Sequence, residues 1–100
     1  MNVINKARIL LQDQKFNEVI MQLSALPESI QKRNDVLNLR GISFWGLKRY
    51  QEAILEFTRC ISNDPKNPET YNNLASVLRD SGDIMAAKGA FLTAIKLDPQ

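Results

Sequence analysis

One hundred residues make a chain the size of a single small domain, which buries about two-thirds of the surface its unfolded form exposes, so one core and few elaborate sites are expected. Apolar residues at 44% and charged residues at 24% give the balance of an ordinary globular chain and exclude the disordered and membrane classes. Thirteen basic residues are interleaved with eleven acidic ones for a net charge of +2, so no extended field draws a polyanion to the surface.

Taken in chain order, apolar residues spaced three and four apart predict six helices and no strand. The first covers residues 2–14 around Ala7 and Leu10, and the second covers 17–26 around Val19 and Leu23, ending before Pro27. Glu28 to Arg33 then form a longer joint, with Ile30 folded back onto the core. The third helix, 34–47, carries Gly41 and Phe44; the fourth, 50–62, carries Ala53, Phe57 and Cys60 and is stopped by Asp64-Pro65, because the residue before a proline is pushed out of helical geometry. Asn67-Pro68-Glu69 opens the fifth helix, 68–81, with a capping side chain, a proline whose missing amide hydrogen costs nothing there, and an acid favoured by the helix dipole. Gly82 ends it in the left-handed conformation and Asp83 caps the sixth, 84–97, which Asp98-Pro99 stops.

Sliding the sequence by 34 residues places like on like without insertions: Ala7, Gly41 and Ala75, then Leu10, Phe44 and Leu78, Phe16, Tyr50 and Ile84, Val19, Ala53 and Ala87, Leu23, Phe57 and Phe91, and Leu26, Cys60 and Ala94. The small column lets the two helices of a hairpin approach closely, and the bulky residues fill the space on either side. Each hairpin keeps an apolar face that only a neighbouring hairpin can cover, which makes a stacked array rather than a closed bundle.

Gly41-x2-Phe44, Tyr50-x2-Ala53-x3-Phe57 and Pro65, followed by Tyr71-x2-Leu74-Ala75-x2-Leu78, Gly82, Ala87-x3-Phe91 and Pro99, resemble the tetratricopeptide repeat. The resemblance implies a right-handed α-solenoid of three antiparallel helix-turn-helix hairpins in one domain, with repeats at about 1–33, 34–67 and 68–100. The first repeat departs from the pattern, with Gln31 where the others have Pro65 and Pro99, and Pro27 four residues too early. Lys6 and Arg40 occupy the column of Leu74; their aliphatic stems are expected to lie along the helix joint while their charges reach water.

The resemblance further implies that the first helix of each repeat lines a concave groove for a protein or an extended peptide. Setting aside the core columns leaves Ile4, Asn5, Arg8 and Leu11, then Asn38, Leu39, Ile42 and Trp45, then Asn72, Asn73, Ser76 and Arg79. Asparagine both donates to and accepts from a peptide main chain, so Asn5, Asn38, Asn72 and Asn73 suit binding without strict sequence demands. Trp45 stands out, because Phe44 already fills the core column; it is either an anchor for the partner or a cover for the junction with the first repeat. One branch of the family grips acidic chaperone tails with a clamp of lysines, arginine and asparagines. The matching columns here hold Ile4, Arg8, Leu39, Glu69 and Asn73, which lack the lysines and add a repelling carboxylate.

No chemistry is expected. The chain has no histidine, the commonest general base and metal ligand, so no cofactor, metal or catalytic residue is assigned. Cys60 lies in a core column, which suits a reduced thiol in a cytoplasmic protein. Glu52 and Glu56 have Lys48, Arg49 and Arg59 as helical neighbours and read as solvated surface; Asp80 and Asp83 read as caps. The four glycines are scattered and make no phosphate loop. Basic residues occur only as short pairs, Lys32-Arg33 and Lys48-Arg49, which gives no support for nucleic acid, and no apolar run approaches the roughly 18 residues of a membrane span. The apolar face of the last helix, with Ile84, Ala87, Phe91, Ala94 and Ile95, has nothing to cap it. That leaves two alternatives to a free-standing scaffold: the N-terminal docking segment of a longer enzyme, of the glycosyltransferase or sulfotransferase kind, or a module that self-associates through this helix.

Overall fold

The computed structural model describes residues 2–99 of the chain. Seven helices follow one another: α1 (Val3–Gln12), α2 (Phe16–Ser24), α3 (Glu28–Gln31), α4 (Asn34–Gly46), α5 (Tyr50–Asn63), α6 (Pro68–Ser81) and α7 (Ile84–Leu97). Six match the expected helices, and no strand occurs among the described residues. The seventh, α3, is a single turn within the Glu28 to Arg33 joint. Pro27 ends α2 early, and its carbonyl accepts from the amides of Ile30 and Gln31, so the joint coils instead of running extended.

Capping follows the sequence at Asn67 and Asp83, and Asn2, expected inside the first helix, caps it instead. Asn2 accepts from the Asn5 amide, Asn67 from Glu69 and Asp83 from Ala86. The turn inside each hairpin repeats with the same 34-residue period. Gln14 at φ 58°, Lys48 at φ 60° and Gly82 at φ 97° are all left-handed. In every case the next amide, of Lys15, Arg49 or Asp83, reaches back to the carbonyl of Leu10, Phe44 or Leu78. Only the third turn advertises itself with a glycine.

Two hydrophobic cores run across the hairpin boundaries. In the first, Ala7 of α1 and Val19 and Leu23 of α2 are closed over by Val36 and Leu39 of α4, with Ile30 of α3 folded onto them as expected. In the second, Phe44 of α4 and Ala53 and Phe57 of α5 are closed over by Val77 of α6. The interlock of small and large is close: a methyl group at Gly41 would lie 2.9 Å from the Phe57 ring. Each second helix therefore packs against both its own partner and the first helix of the following hairpin. Among the described residues no later helix packs on α7, and Ile84, Met85, Leu92 and Ile95 are exposed there.

The sequence reading of two charged residues is corrected. Arg40 does not send its charge to water; it is 7% exposed, and its Nε donates to Glu56 Oε2 at 2.9 Å. Glu56 is not solvated surface either. It is 4% exposed and its other oxygen accepts from Arg59 Nη1 at 3.1 Å. Gln31, the residue that stands in place of the repeat's proline, joins this network: its amide nitrogen donates to the Ser24 and Leu26 carbonyls, and its oxygen accepts from Arg40 Nη1 at 2.8 Å. Lys6, in contrast, is exposed, and so is Glu52, which holds Arg49 through two 2.7 Å bonds.

A left-handed residue other than glycine costs about 1 kcal/mol. Replacing the exposed Lys48 by glycine is expected to raise unfolding free energy by about that amount, measured by urea denaturation with an unchanged slope. A loss of stability would show that the Lys48 side chain holds the turn.

Candidate functional site

Helices α1, α4 and α6 stand side by side as the first members of their hairpins. Asn38, Ile42 and Trp45 recur at helical spacing along one face of α4, and Asn72, Ser76 and Arg79 recur along the corresponding face of α6. Side chains cross between them at two levels. Asn73 Nδ2 donates to Asn38 Oδ1 at 3.2 Å, and Trp45 Nε1 donates to Asp80 Oδ2 at 2.8 Å. Two helical turns separate these links, so α4 and α6 are held in register over most of their shared length. No side-chain hydrogen bond joins α1 to α4 among the described residues.

The twelve expected groove residues divide by exposure. Asn5, Arg8, Asn72 and Arg79 are exposed; Asn38, Ile42, Trp45, Asn73 and Ser76 are half-buried; Ile4 and Leu11 are half-buried against the first core. Leu39 is a correction. It is 6% exposed and belongs to the first core, because the face of α4 turned toward α1 and α2 needs an apolar residue there to close the hairpin. Several polar groups already have local partners: Arg8 Nη1 donates to Asn5 Oδ1 at 2.9 Å, and the Ser76 hydroxyl donates to its own helix at the Asn72 carbonyl, 2.9 Å away. One amide nitrogen each on Asn5 and Asn38, the whole Asn72 amide and the Asn73 carbonyl oxygen make no hydrogen bond among the described residues.

Trp45 packs against the second core while its indole nitrogen reaches the last hairpin. The junction it covers is thus the one toward the third repeat; the sequence pointed to the first. Asp80 was expected to cap a helix, but its carboxylate is the acceptor for Trp45 and is bonded by Arg79 Nε at 3.3 Å. The signal was present in the sequence as a spacing of one repeat plus one residue, which places position 80 beside position 45 across two stacked first helices.

The thiol of Cys60 is buried and pushed up to about 11, chiefly by desolvation and secondarily by the negative charge of Glu56. A thiol in that state is a packing group and a poor nucleophile.

Family models match where the repeat pattern is strongest. One for the tetratricopeptide repeat covers residues 35–67, and another covers 56–89, so together they span more than half of the chain. The chain belongs to the tetratricopeptide repeat family. The second match starts inside α5, as a solenoid permits, since the stacking of one hairpin on the next repeats without a fixed starting point. Among solved structures, SycD of Yersinia enterocolitica, a type III secretion translocator chaperone, superposes with a TM-score of 0.90 at 18% identity, over 98% of this chain and 74% of that one. A fragment of MamA of Desulfovibrio magneticus RS-1, from residue 41 to its end, gives 0.90 at 16% identity, over 97% of this chain and 55% of that one, so the chain spans about half of that fragment. The second repeat domain of Spaghetti (RPAP3), bound to the HSP90 peptide SRMEEVD, gives 0.83 at 15% identity, over 96% of this chain and 89% of that one. No curated protein matches the sequence. Among the described residues, no helix of this tetratricopeptide-repeat chain is long and apolar enough to cross a membrane.

The bond from Trp45 favours the charged form of Asp80 and, with Arg79 adding to it, holds that carboxyl below its ordinary value of 3.8. A depressed carboxyl keeps its contribution above the ordinary value and loses it as pH falls through the lowered one. Emission from Trp45, the sole tryptophan, is therefore expected to change on acidification with a midpoint below 3.8, and Asp80→Asn should abolish that step. A step at higher pH, or one that survives the substitution, would rule out Asp80 as its source.

Proposed function

We propose that this tetratricopeptide-repeat chain is a scaffold that holds an extended peptide or a protein segment in the groove of α1, α4 and α6, with no chemistry of its own. One observation carries the reading: a half-buried tryptophan fixed by a hydrogen bond stands two helical turns along the same face from asparagine amides that still have hydrogen-bonding groups to offer. A rigid aromatic anchor beside main-chain-binding amides suits an extended ligand, because the anchor adds affinity at little entropic cost and the amides read backbone. Structures of similar fold support it. SycD has been seen with a peptide of the translocator YopD, at 19% identity and a TM-score of 0.89, and the RPAP3 domain with its HSP90 peptide.

The ligand is not an acidic chaperone tail. The clamp columns offer no lysine, Leu39 is buried, and Glu69 would repel a carboxylate. We place the three repeats in one binding unit, without a nucleic-acid or metal partner, and in the cytoplasm, where a buried unpaired Cys60 stays reduced.

A second reading rests on α7, where Ile84 at 60%, Met85 at 80%, Leu92 at 49% and Ile95 at 58% are exposed apolar side chains on one side of the helix. By this reading a second copy of the chain covers it. A dimer in sedimentation that Leu92→Lys disperses supports self-association; a monomer at every concentration points instead to further repeats or to the docking segment of a longer enzyme.

Peptides selected from a displayed random library on the whole chain test the groove. Trp45→Ala is expected to weaken a selected peptide by about 2 kcal/mol or more while helix content is kept. Unchanged affinity with a lowered melting temperature would reduce Trp45 to a packing residue. Calorimetry with SRMEEVD is expected to show no binding, and micromolar affinity would contradict the assignment of the groove's ligand class.

A further inference from the structure

On the opposite side of α4 from the groove, a cavity of about 390 Å³ opens between α3, α4 and α5. Leu37 and Arg40 form its floor, because both are turned away from Asn38, Ile42 and Trp45 by the helical period. Lys32 lines it beyond the end of α3, and Arg59 and Ser62 line it from α5. Its volume is within the range of small-ligand sites, at the lower end.

We propose that this cavity binds the phosphate group of a small phosphorylated molecule. Three cations converge on it, and the tetratricopeptide pattern requires none of them. One repeat later, the positions of Arg40, Glu56 and Arg59 are held by Leu74, Ala90 and Thr93, and α6 still stacks on α5 and α7. Charge is thus not needed to join two hairpins, and burying it costs desolvation that an apolar pair avoids.

Glu56 consumes one of the three charges, with both its oxygens already bonded to Arg40 and Arg59. Arg40 uses Nε on Glu56 and Nη1 on Gln31 and Ser24, which leaves Nη2 without a protein partner among the described residues. No fully buried polar atom there is unpartnered, so that nitrogen has solvent access, and the cavity is what Arg40 lines. Arg59 has two further nitrogens free, at 55% side-chain exposure, and Lys32 forms no ion pair among the described residues.

Subtracting Glu56 and the lining Glu28 from the three cations leaves a net charge of +1 facing a phosphate monoester that carries close to two negative charges at neutral pH, so recognition rests on arginine hydrogen bonds as well as on charge. Arginine forks suit its oxygens in bidentate fashion, and the Ser62 hydroxyl adds a neutral donor at the wall. Glu28 is the one carboxylate that lines the cavity, and it is exposed. Free phosphate and a phosphate ester share this recognition chemistry.

Titration of the whole chain with O-phospho-L-serine, with inorganic phosphate and with L-serine, followed by amide chemical shifts, tests the site independently of peptide binding in the groove. Saturable shifts confined to residues 28–32, 37–40 and 59–63 are expected with both phosphates and none with serine. Tighter binding of the ester assigns a phosphorylated molecule, and equal binding assigns free phosphate. Arg59→Gln, at an exposed side chain, should lower affinity roughly tenfold, the size of a lost hydrogen bond between charged groups. Lys32→Gln combined with Arg59→Gln, both at exposed side chains, removes two of the three cations, keeps the fold by circular dichroism, and should abolish binding. Shifts that never saturate, that appear equally with serine, that centre on the groove, or that survive the double substitution would overturn the proposal.

Discussion

No hairpin of this chain can bury its own apolar face, and the remaining features follow from that constraint. Val36 and Leu39 of α4 complete the core of the first hairpin, and Val77 of α6 completes that of the second. A first helix is thereby pinned from behind by two layers, its own partner and the preceding second helix, while its front stays free. The groove is the row of those free fronts. Its geometry depends on the cores behind it more than on any bond across it, and this is why a surface so rich in asparagine can be well ordered.

The joint between the first two hairpins meets the same demand with charge. Taking two ions out of water costs several kcal/mol each, and only close, fully bonded geometry offsets it. Here Arg40 has Glu56, Gln31 and Ser24, and Glu56 has Arg40 and Arg59. Gln31 also ties α3 to the end of α2 through the Ser24 and Leu26 carbonyls, so one side chain does the stiffening that a proline does at the next joint. There, Tyr71 supplies a further tie by donating to the Pro65 carbonyl at 2.9 Å.

Helix limits, caps and the core columns were legible because each is set within a few residues: a period of three and four, a proline, an asparagine before a proline. What the sequence hid was decided over longer separations. The left-handed turns at Gln14 and Lys48 are forced by the hairpin and carry no glycine to announce them. Arg40 looked like a solvated cation because only its own column was compared. Glu56 departs from apolar Ala90 in the same repeat and with the opposite sign, and the two departures read together would have indicated a buried pair. Leu39 was misread by a similar route: its column holds Asn5 and Asn73, and a leucine between two asparagines marks where the groove face gives way to core.

Helix α4 is where these constraints converge. It packs against α1, α2, α3, α5 and α6, the largest set of neighbours among the described helices. Local unfolding starts where buried contacts are few, so α4 is the helix among these that opens last. Trp45 and Asn38 stand on the best-supported helix, with α6 held to it at two levels and α1 held only by packing. The surface between α4 and α6 is therefore the more rigid part of this face, and the proposed groove is preorganised there rather than toward α1.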